Sequence, residues 1–346
     1  MRLLLVTALA LTTVSCQSAP KAVEIGMTVH SRGADAAAIE RQFDIMATMG
    51  VRWVRVDVGW DWIEGERGQF DWSYPDKIVS EATSHGMNVL AVLATTPAWA
   101  RAPLPEGSEP SAFQRPAQLS DFGAFARLAA ERYAPKGVRN WEIWNEPNIP
   151  KFWPPAPDVN EYSALFRTTA EAVRNVDPSA TLLTGGLSPQ FDKLPSEIPP
   201  ADYLEQLYNN GTAQSADAIA AHPYSFPALP MAPDQRMVGG FKDLPALHAV
   251  MERHQDGGKK IWNTEFGAPT GTGQYAVSEE DQAAAISEAR EQTQKWDWAG
   301  PLIYYELADG GSDPAEIEEN FGVLHEDLRP KPAGDRLVQD ASDGQD

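Results

Sequence analysis

A short apolar run suited to a buried strand is followed by a stretch with helical spacing, and between Glu24 and Asp309 this beat sounds eight times. The strand candidates are "EIGMTVH" (24–30), "VRWVRVDVGW" (51–60), "MNVLAVLATTPAW" (87–99), "WEIWNEPN" (141–148), "ATLLTGGL" (180–187), "ADAIAAHPY" (216–224), "KKIWNTEFG" (259–267) and "GPLIYYELAD" (300–309). The intervening stretches carry apolar residues three and four apart, as in Ile39, Phe43, Met46 and Met49 before Gly50, or Tyr162, Phe166, Thr169, Val173 and Val176. That spacing marks one face of a helix. Parallel neighbours need a crossover, so strict alternation implies a parallel sheet, and eight repeats imply that it closes. The competing open, doubly wound sheet would carry a glycine-rich phosphate loop after its first strand, and this chain has none there. The expected fold is therefore of the α/β class, a single-domain (β/α)8 TIM barrel over residues 21–338.

The ends read differently. "MRLLLVTALALTTVSCQSAP" (1–20) has a basic residue, an apolar run too short to span a bilayer, then small residues, which is the pattern of an export signal. Cys16 is the only cysteine, which excludes an intramolecular disulfide, and its place after Val14 and Ser15 resembles a bacterial lipoprotein signal. The expected location is outside the cytoplasm, as a cell-envelope lipoprotein or a secreted protein. The acidic tail 339–346 is expected to be disordered. A formal charge of −21 argues against nucleic acid or an anionic membrane surface as partner, leaving a lipid on Cys16 as the one expected membrane contact and a neutral substrate as the better fit.

Barrel enzymes collect their chemistry at the C-terminal ends of the strands. "WEIWNEPN" crowds tryptophans, carboxylates, amides and a proline into one such end, a mixture that neither a helix nor a half-buried strand needs. Reading only those ends gives Arg55 to Asp57 on the second strand, Asn145 and Glu146 on the fourth, His222 and Tyr224 on the sixth, Glu265 on the seventh, and Tyr304 to Glu306 on the eighth. Two glutamates, Glu146 and Glu265, come from strands on opposite sides of the ring. That pairing suits glycosidic bond cleavage, in which one carboxylic acid protonates the leaving oxygen while a second carboxylate attacks the anomeric carbon. An acid must sit beside apolar surface to hold its proton, as Glu146 does next to Trp144, whereas a nucleophile must stay ionised, which Arg55 and Tyr224 would favour at Glu265. Glu142, deeper on the fourth strand, reads as an internal hydrogen-bonding residue, and Glu306 as a supporting one. His30, His85, His248, His254 and His325 show no ligand spacing, so neither a metal nor another cofactor is expected.

The ordered set "WNEPN", "FWPPAPDVNEY", "HPY" and "WNTEFG", with "RVDVGWDWIEGERGQFDW", "TTPAWA" and "FGVLHEDLRPKPA", resembles the clan A retaining glycoside hydrolases. The likeness is closest to family 39 and its exopolysaccharide-degrading relatives, with family 5 more distant. It implies that Glu146 is the general acid/base and Glu265 the nucleophile, and that Asn145 binds the sugar 2-hydroxyl. It further implies that His222 and Tyr224 form a pair beside the nucleophile and that Arg55 contacts it. Trp99, Trp144 and Tyr305 look like sugar-stacking residues, although family 5 usually carries tryptophan on strand eight where this chain has "IYYELAD". The implied substrate is a polysaccharide or oligosaccharide, a bacterial exopolysaccharide or envelope glycan. A surface lipoprotein that binds polysaccharide without cutting it, and a transglycosylase with the same residues, are the rival expectations.

Overall fold

The computed structural model describes residues 23–343 except 192, 193, 195, 234 and 235, so the export signal and Cys16 lie outside the described residues. Eight strands, β1 (Ile25–Thr28), β2 (Trp53–Gly59), β3 (Asn88–Ala94), β4 (Asn140–Asn145), β5 (Thr181–Gly186), β6 (Ala218–Ala221), β7 (Lys260–Phe266) and β8 (Ala299–Tyr304), pair in sequence order. Every pairing is parallel, and β8 returns to β1 through Gly26 opposite Ile303, which closes the barrel. The expected (β/α)8 architecture is what the chain adopts.

Alternation sorts the strand side chains into two cores. Trp53, Leu90, Leu183, Ala218, Ala220, Trp262 and Ile303 fill the inside of the barrel, with the two indoles edge to face at 4.7 Å. Their strand neighbours, such as Val54, Ile143, Leu182, Ile219 and Ile261, join the larger core that includes the helices' buried faces. The helix Ala36–Thr48 buries Ile39, Phe43 and Met46, the stripe read from sequence, and starts where the Asp35 side chain accepts from the backbone N–H of Ala38. Asp158 caps Val159–Val176 and Ser278 caps Glu279–Thr293 in the same way, so three helices start on side chains that satisfy their first free N–H groups. Among the described residues, no helix is long and apolar enough to cross a membrane.

One expectation fails at the C-terminal end. The acidic composition predicts disorder from residue 339, yet the helix Pro332–Asp343 runs through 339–343. Leu337 buries itself in the outer core and Asp340 pairs with Arg290, so residues 339–342 belong to an amphipathic helix, while 344–346 lie outside the described residues.

Candidate active site

The end of β4 departs from a regular strand. Trp144 has φ +74° and Glu146 φ +44°, values that bulky L-residues rarely adopt. The consequence is a break in alternation. Glu142 points into the barrel, and a regular strand would send Trp144 the same way. Instead the indole turns outward, fully buried against Phe122 and Trp153, with its N–H donating to the Phe152 carbonyl at 2.7 Å. Asn145 and Glu146 are left facing the barrel mouth. Asn148 then fastens the turn, donating to the carbonyls of Ser188 and Ile198 and accepting from the Ser188 N–H.

Arg55 organises the floor. Its guanidinium donates from Nη1 to Glu265 Oε1 at 2.5 Å, from Nε to Glu142 Oε2 at 2.9 Å and from Nη2 to Asn145 Oδ1 at 2.9 Å. Asp57, two residues along the same strand, faces His30 instead. The second oxygen of Glu265 accepts from the Tyr224 hydroxyl at 2.7 Å, so both oxygens of this carboxylate are held by donors. Burial pushes the Tyr224 phenol well above its usual range and Glu265 adds to the effect, which keeps it a donor. Glu142 is fully buried; burial alone would raise its pKa, but the Arg55 guanidinium, with His222, brings it down to about 2. It is the internal hydrogen-bonding residue the sequence suggested, accepting also from the Gly186 N–H.

Glu146 stands in a different environment. His222 Nδ1 lies 2.8 Å from its Oε1, and its Oε2 has no hydrogen-bond partner among the described residues. Burial pushes the Glu146 carboxyl up, against the lowering effect of His222. Burial opposes charge on His222 too, but the carboxylate of Glu265, with Glu142 and Glu146, lifts its pKa to about 9. The imidazole therefore sits between the two glutamates, 3.4 Å from Glu265 Oε2, rather than beside the nucleophile alone. Gly186 makes room for it: a Cβ there would lie 2.0 Å from His222 Nε2. One oxygen of Glu146, one of Glu265 and a His222 ring nitrogen all lie within 4.8 Å of one another. A metal could span such a trio, but three of the facing atoms already take hydrogen bonds from Arg55, Tyr224 and His222.

These groups open into a cleft of about 660 Å³. Beyond Arg55, Asn145, Glu146, Tyr224, Tyr305 and Glu265, its walls include aromatic residues that sequence reasoning missed: Trp62, Phe113, Phe152, Phe191, Phe226 and Tyr275. The proline-rich stretches 102–116 and 191–200 supply Phe113 and Phe191, and so form part of the wall. Tyr305 is a wall residue as expected. Trp99 and Trp144 are not: Trp99 donates to the Glu64 carbonyl and packs edge to face on Trp60, away from the cleft, and Trp144 lies in the outer core. At the far end His30 stands 2.8 Å from Glu306 and 3.5 Å from Asp57, and these carboxylates overcome its partial enclosure to lift its pKa to about 10. His30 belongs to the site after all; its place two residues beyond Thr28, with inward parity, was the available signal. Lys151, on the loop after β4, meets Glu318, on the loop after β8, at 3.1 Å, tying opposite sides of the mouth together.

The sequence model described as Cellulase (glycosyl hydrolase family 5) matches residues 17–300. The chain belongs to that family. Solved structures of family 5 and family 39 proteins share its fold. A family 39 glycoside hydrolase from Bacteroides cellulosilyticus WH2 superimposes with a TM-score of 0.71 at 22% identity, over 93% of this chain and 64% of the other. A monomeric beta-xylosidase from Caulobacter crescentus CB15 gives 0.69 at 17%, over 93% and 68%. A member of family 5, subfamily 18, from Streptomyces cattleya gives 0.67 at 18%, over 94% and 80%. In sequence, 50 residues are 50% identical to a beta-xylosidase of Geobacillus stearothermophilus, 14% of this chain and 10% of that one. This family 5 chain thus spans under two thirds of the Bacteroides enzyme and a tenth of the Geobacillus one.

Proposed function

We propose that this family 5 chain is an exported glycoside hydrolase that cleaves a polysaccharide or oligosaccharide with retention, by double displacement. One observation carries the reading: carboxylate oxygens of Glu146 and Glu265 approach within 4.8 Å. Retaining enzymes keep their carboxyl groups roughly 5–5.5 Å apart, whereas inverting ones need about 6.5–9.5 Å to admit a water. In the first step an oxygen of Glu265 attacks the anomeric carbon, the glycosidic C–O bond breaks, and its electron pair takes the proton of Glu146. In the second step Glu146 removes a proton from water, whose oxygen attacks the same carbon and releases Glu265 as a carboxylate. Arg55 and Tyr224 orient Glu265 for attack, and Asn145 offers its amide to the sugar 2-hydroxyl. A protein that only bound sugar would have no use for one carboxyl raised by burial beside a second held by two donors.

The substrate we propose is a neutral bacterial exopolysaccharide or envelope glycan. Support comes from the cleft, where Asp57, Glu197 and Glu318 are wall residues while Lys151 and Arg55 are both paired with carboxylates. The 1–20 segment supports export, with Cys16 as the lipid attachment point. The deciding experiment is reducing-sugar release from a panel of bacterial envelope and plant polysaccharides, with product anomers followed by NMR. Release with the substrate's own anomeric configuration is expected; the opposite anomer would overturn retention, and no release from any member would overturn the hydrolase reading.

The pH profile should carry the mark of His222. Activity needs Glu146 protonated, so kcat/KM falls as pH rises through the Glu146 pKa. His222 lowers that pKa, while Glu265 raises it and Lys151 lowers it. His222→Asn is therefore expected to move the alkaline limb to higher pH; an unmoved or lowered limb would contradict the assignment.

A further inference from the structure

The break at the end of β4 is bridged by a side chain from the helix that follows it. β4 and β5 run in step as far as Ile143 opposite Thr184, the register passes over Trp144, and pairing resumes at Asn145 opposite Gly186. Tyr162, in the helix Val159–Val176, brings its hydroxyl to this gap. The oxygen accepts from the Gly185 N–H at 2.7 Å and donates to the Ile143 carbonyl at 3.0 Å, so one phenol holds both strands. Burial pushes that phenol above its usual range, which keeps the proton on the oxygen for the second bond. The ring is fully buried and packs edge to face on Trp153 at 5.8 Å, and Trp153 in turn meets Trp144 at 5.4 Å. Gly185 admits the arrangement: a Cβ there would lie 2.9 Å from the Ile143 carbonyl oxygen and 3.0 Å from that of Trp144. Immediately beyond the gap the Glu146 N–H donates to the Gly186 carbonyl at 3.1 Å.

We propose that Tyr162 is a positioning residue for Glu146, acting from the outer core through the backbone of β4 and β5. This rests on the reading of Glu146 as the general acid/base. Trp144 and Glu146 hold φ values that L side chains rarely adopt, and such a turn persists only where its surroundings over-determine it. Tyr162 supplies that constraint from behind. Its hydroxyl ties the residue before Trp144 to the residue before Gly186, and its ring, through Trp153, backs the indole in its outward place. Tyr162 is not a wall residue of the cleft, so its effect on the chemistry passes through the carboxyl it helps to place. A group that must deliver a proton to one oxygen tolerates little displacement. The nucleophile is secured separately, since Glu265 stands on β7 and is held by Arg55 and Tyr224. Loss of the Tyr162 hydroxyl therefore falls on proton delivery rather than on attack.

Tyr162→Phe removes the oxygen and little else. Oligosaccharides from whichever panel polysaccharide is cleaved best are prepared with one glycone and either a sugar or dinitrophenol as leaving group; only the sugar needs a proton from Glu146. The loss in kcat/KM is expected to be about tenfold to 100-fold larger with the sugar. Equal losses on both substrates, or none, would overturn the assignment, because a merely structural role lowers both alike. If Tyr162→Phe does not fold, Trp153→Phe decides, since it keeps both hydroxyl bonds and loosens the ring that places them: a selective loss supports the assignment, and an even loss or none overturns it. NMR titration of isotope-labelled glutamate, with Glu146→Gln to identify the signal, needs no turnover and so separates this from failure of the hydrolase reading. If nothing is cleaved, a Glu146 titration that moves by about 0.5 pH unit or more in Tyr162→Phe upholds the positioning without hydrolysis. An unmoved titration overturns it.

Discussion

Glu265→Gln is expected to fold, to retain polysaccharide and to lose about 10⁴-fold or more in kcat, on the scale of losing a covalent nucleophile. The amide is nearly isosteric and its oxygen can still accept from Arg55 Nη1, but it cannot form the glycosyl ester. Wild-type turnover in this variant would end the assignment. Azide distinguishes the two glutamates. In Glu265→Ala it enters from the vacated face and gives a glycosyl azide of inverted configuration. In Glu146→Ala the glycosyl-enzyme still forms with an activated leaving group, and azide displaces it with net retention. NMR of the two products reads the roles directly, and swapped configurations would mean swapped roles.

The second large effect is on stability. Arg55→Ala should destabilise the fold by about 3–5 kcal/mol, because it strips the fully buried Glu142 of its nearest counter-charge and leaves it only His222, 3.6 Å away. The sign with pH can be worked out. The Glu142 pKa is about 2 in the folded chain against an ordinary 4.5, so its contribution is present above 4.5 and is lost as pH falls towards 2. The variant loses the Arg55 share of that contribution, so its deficit against wild type should be largest near neutral pH and shrink near pH 3. Urea unfolding at both values checks this. An equal deficit at both would mean that Arg55 stabilises by packing rather than by pairing with Glu142.

The eight strands were legible because strands buried on both faces read as continuous apolar runs, and the helices because their stripes recur at fixed spacing. Glu146 and Glu265 could be found for the same reason: once the strands are in register, their ends are the site. Trp144 was misplaced because the alternation that reads a strand fails where φ turns positive, and no letter in "WEIWNEPN" announces that turn. Trp99 was misplaced because its position depends on Trp60 and Glu64, which arrive from a different loop. Phe113, Phe152, Phe191, Phe226 and Tyr275 went unread because they lie on loops without periodicity. Those loops are shaped by distant contacts such as Asn148 to Ser188 and Ile198. The tail was misread from its charge, when its few apolar positions decided the outcome.

A ring of parallel strands has a front and a back. Every strand starts at the back, and β1 brings the chain in there at Ile25, while Glu146, Glu265 and the whole cleft open at the front. A molecule tethered by the segment that leads into β1 is thus held by its heel. The lipid proposed on Cys16 would join the chain at the end of the barrel opposite the mouth.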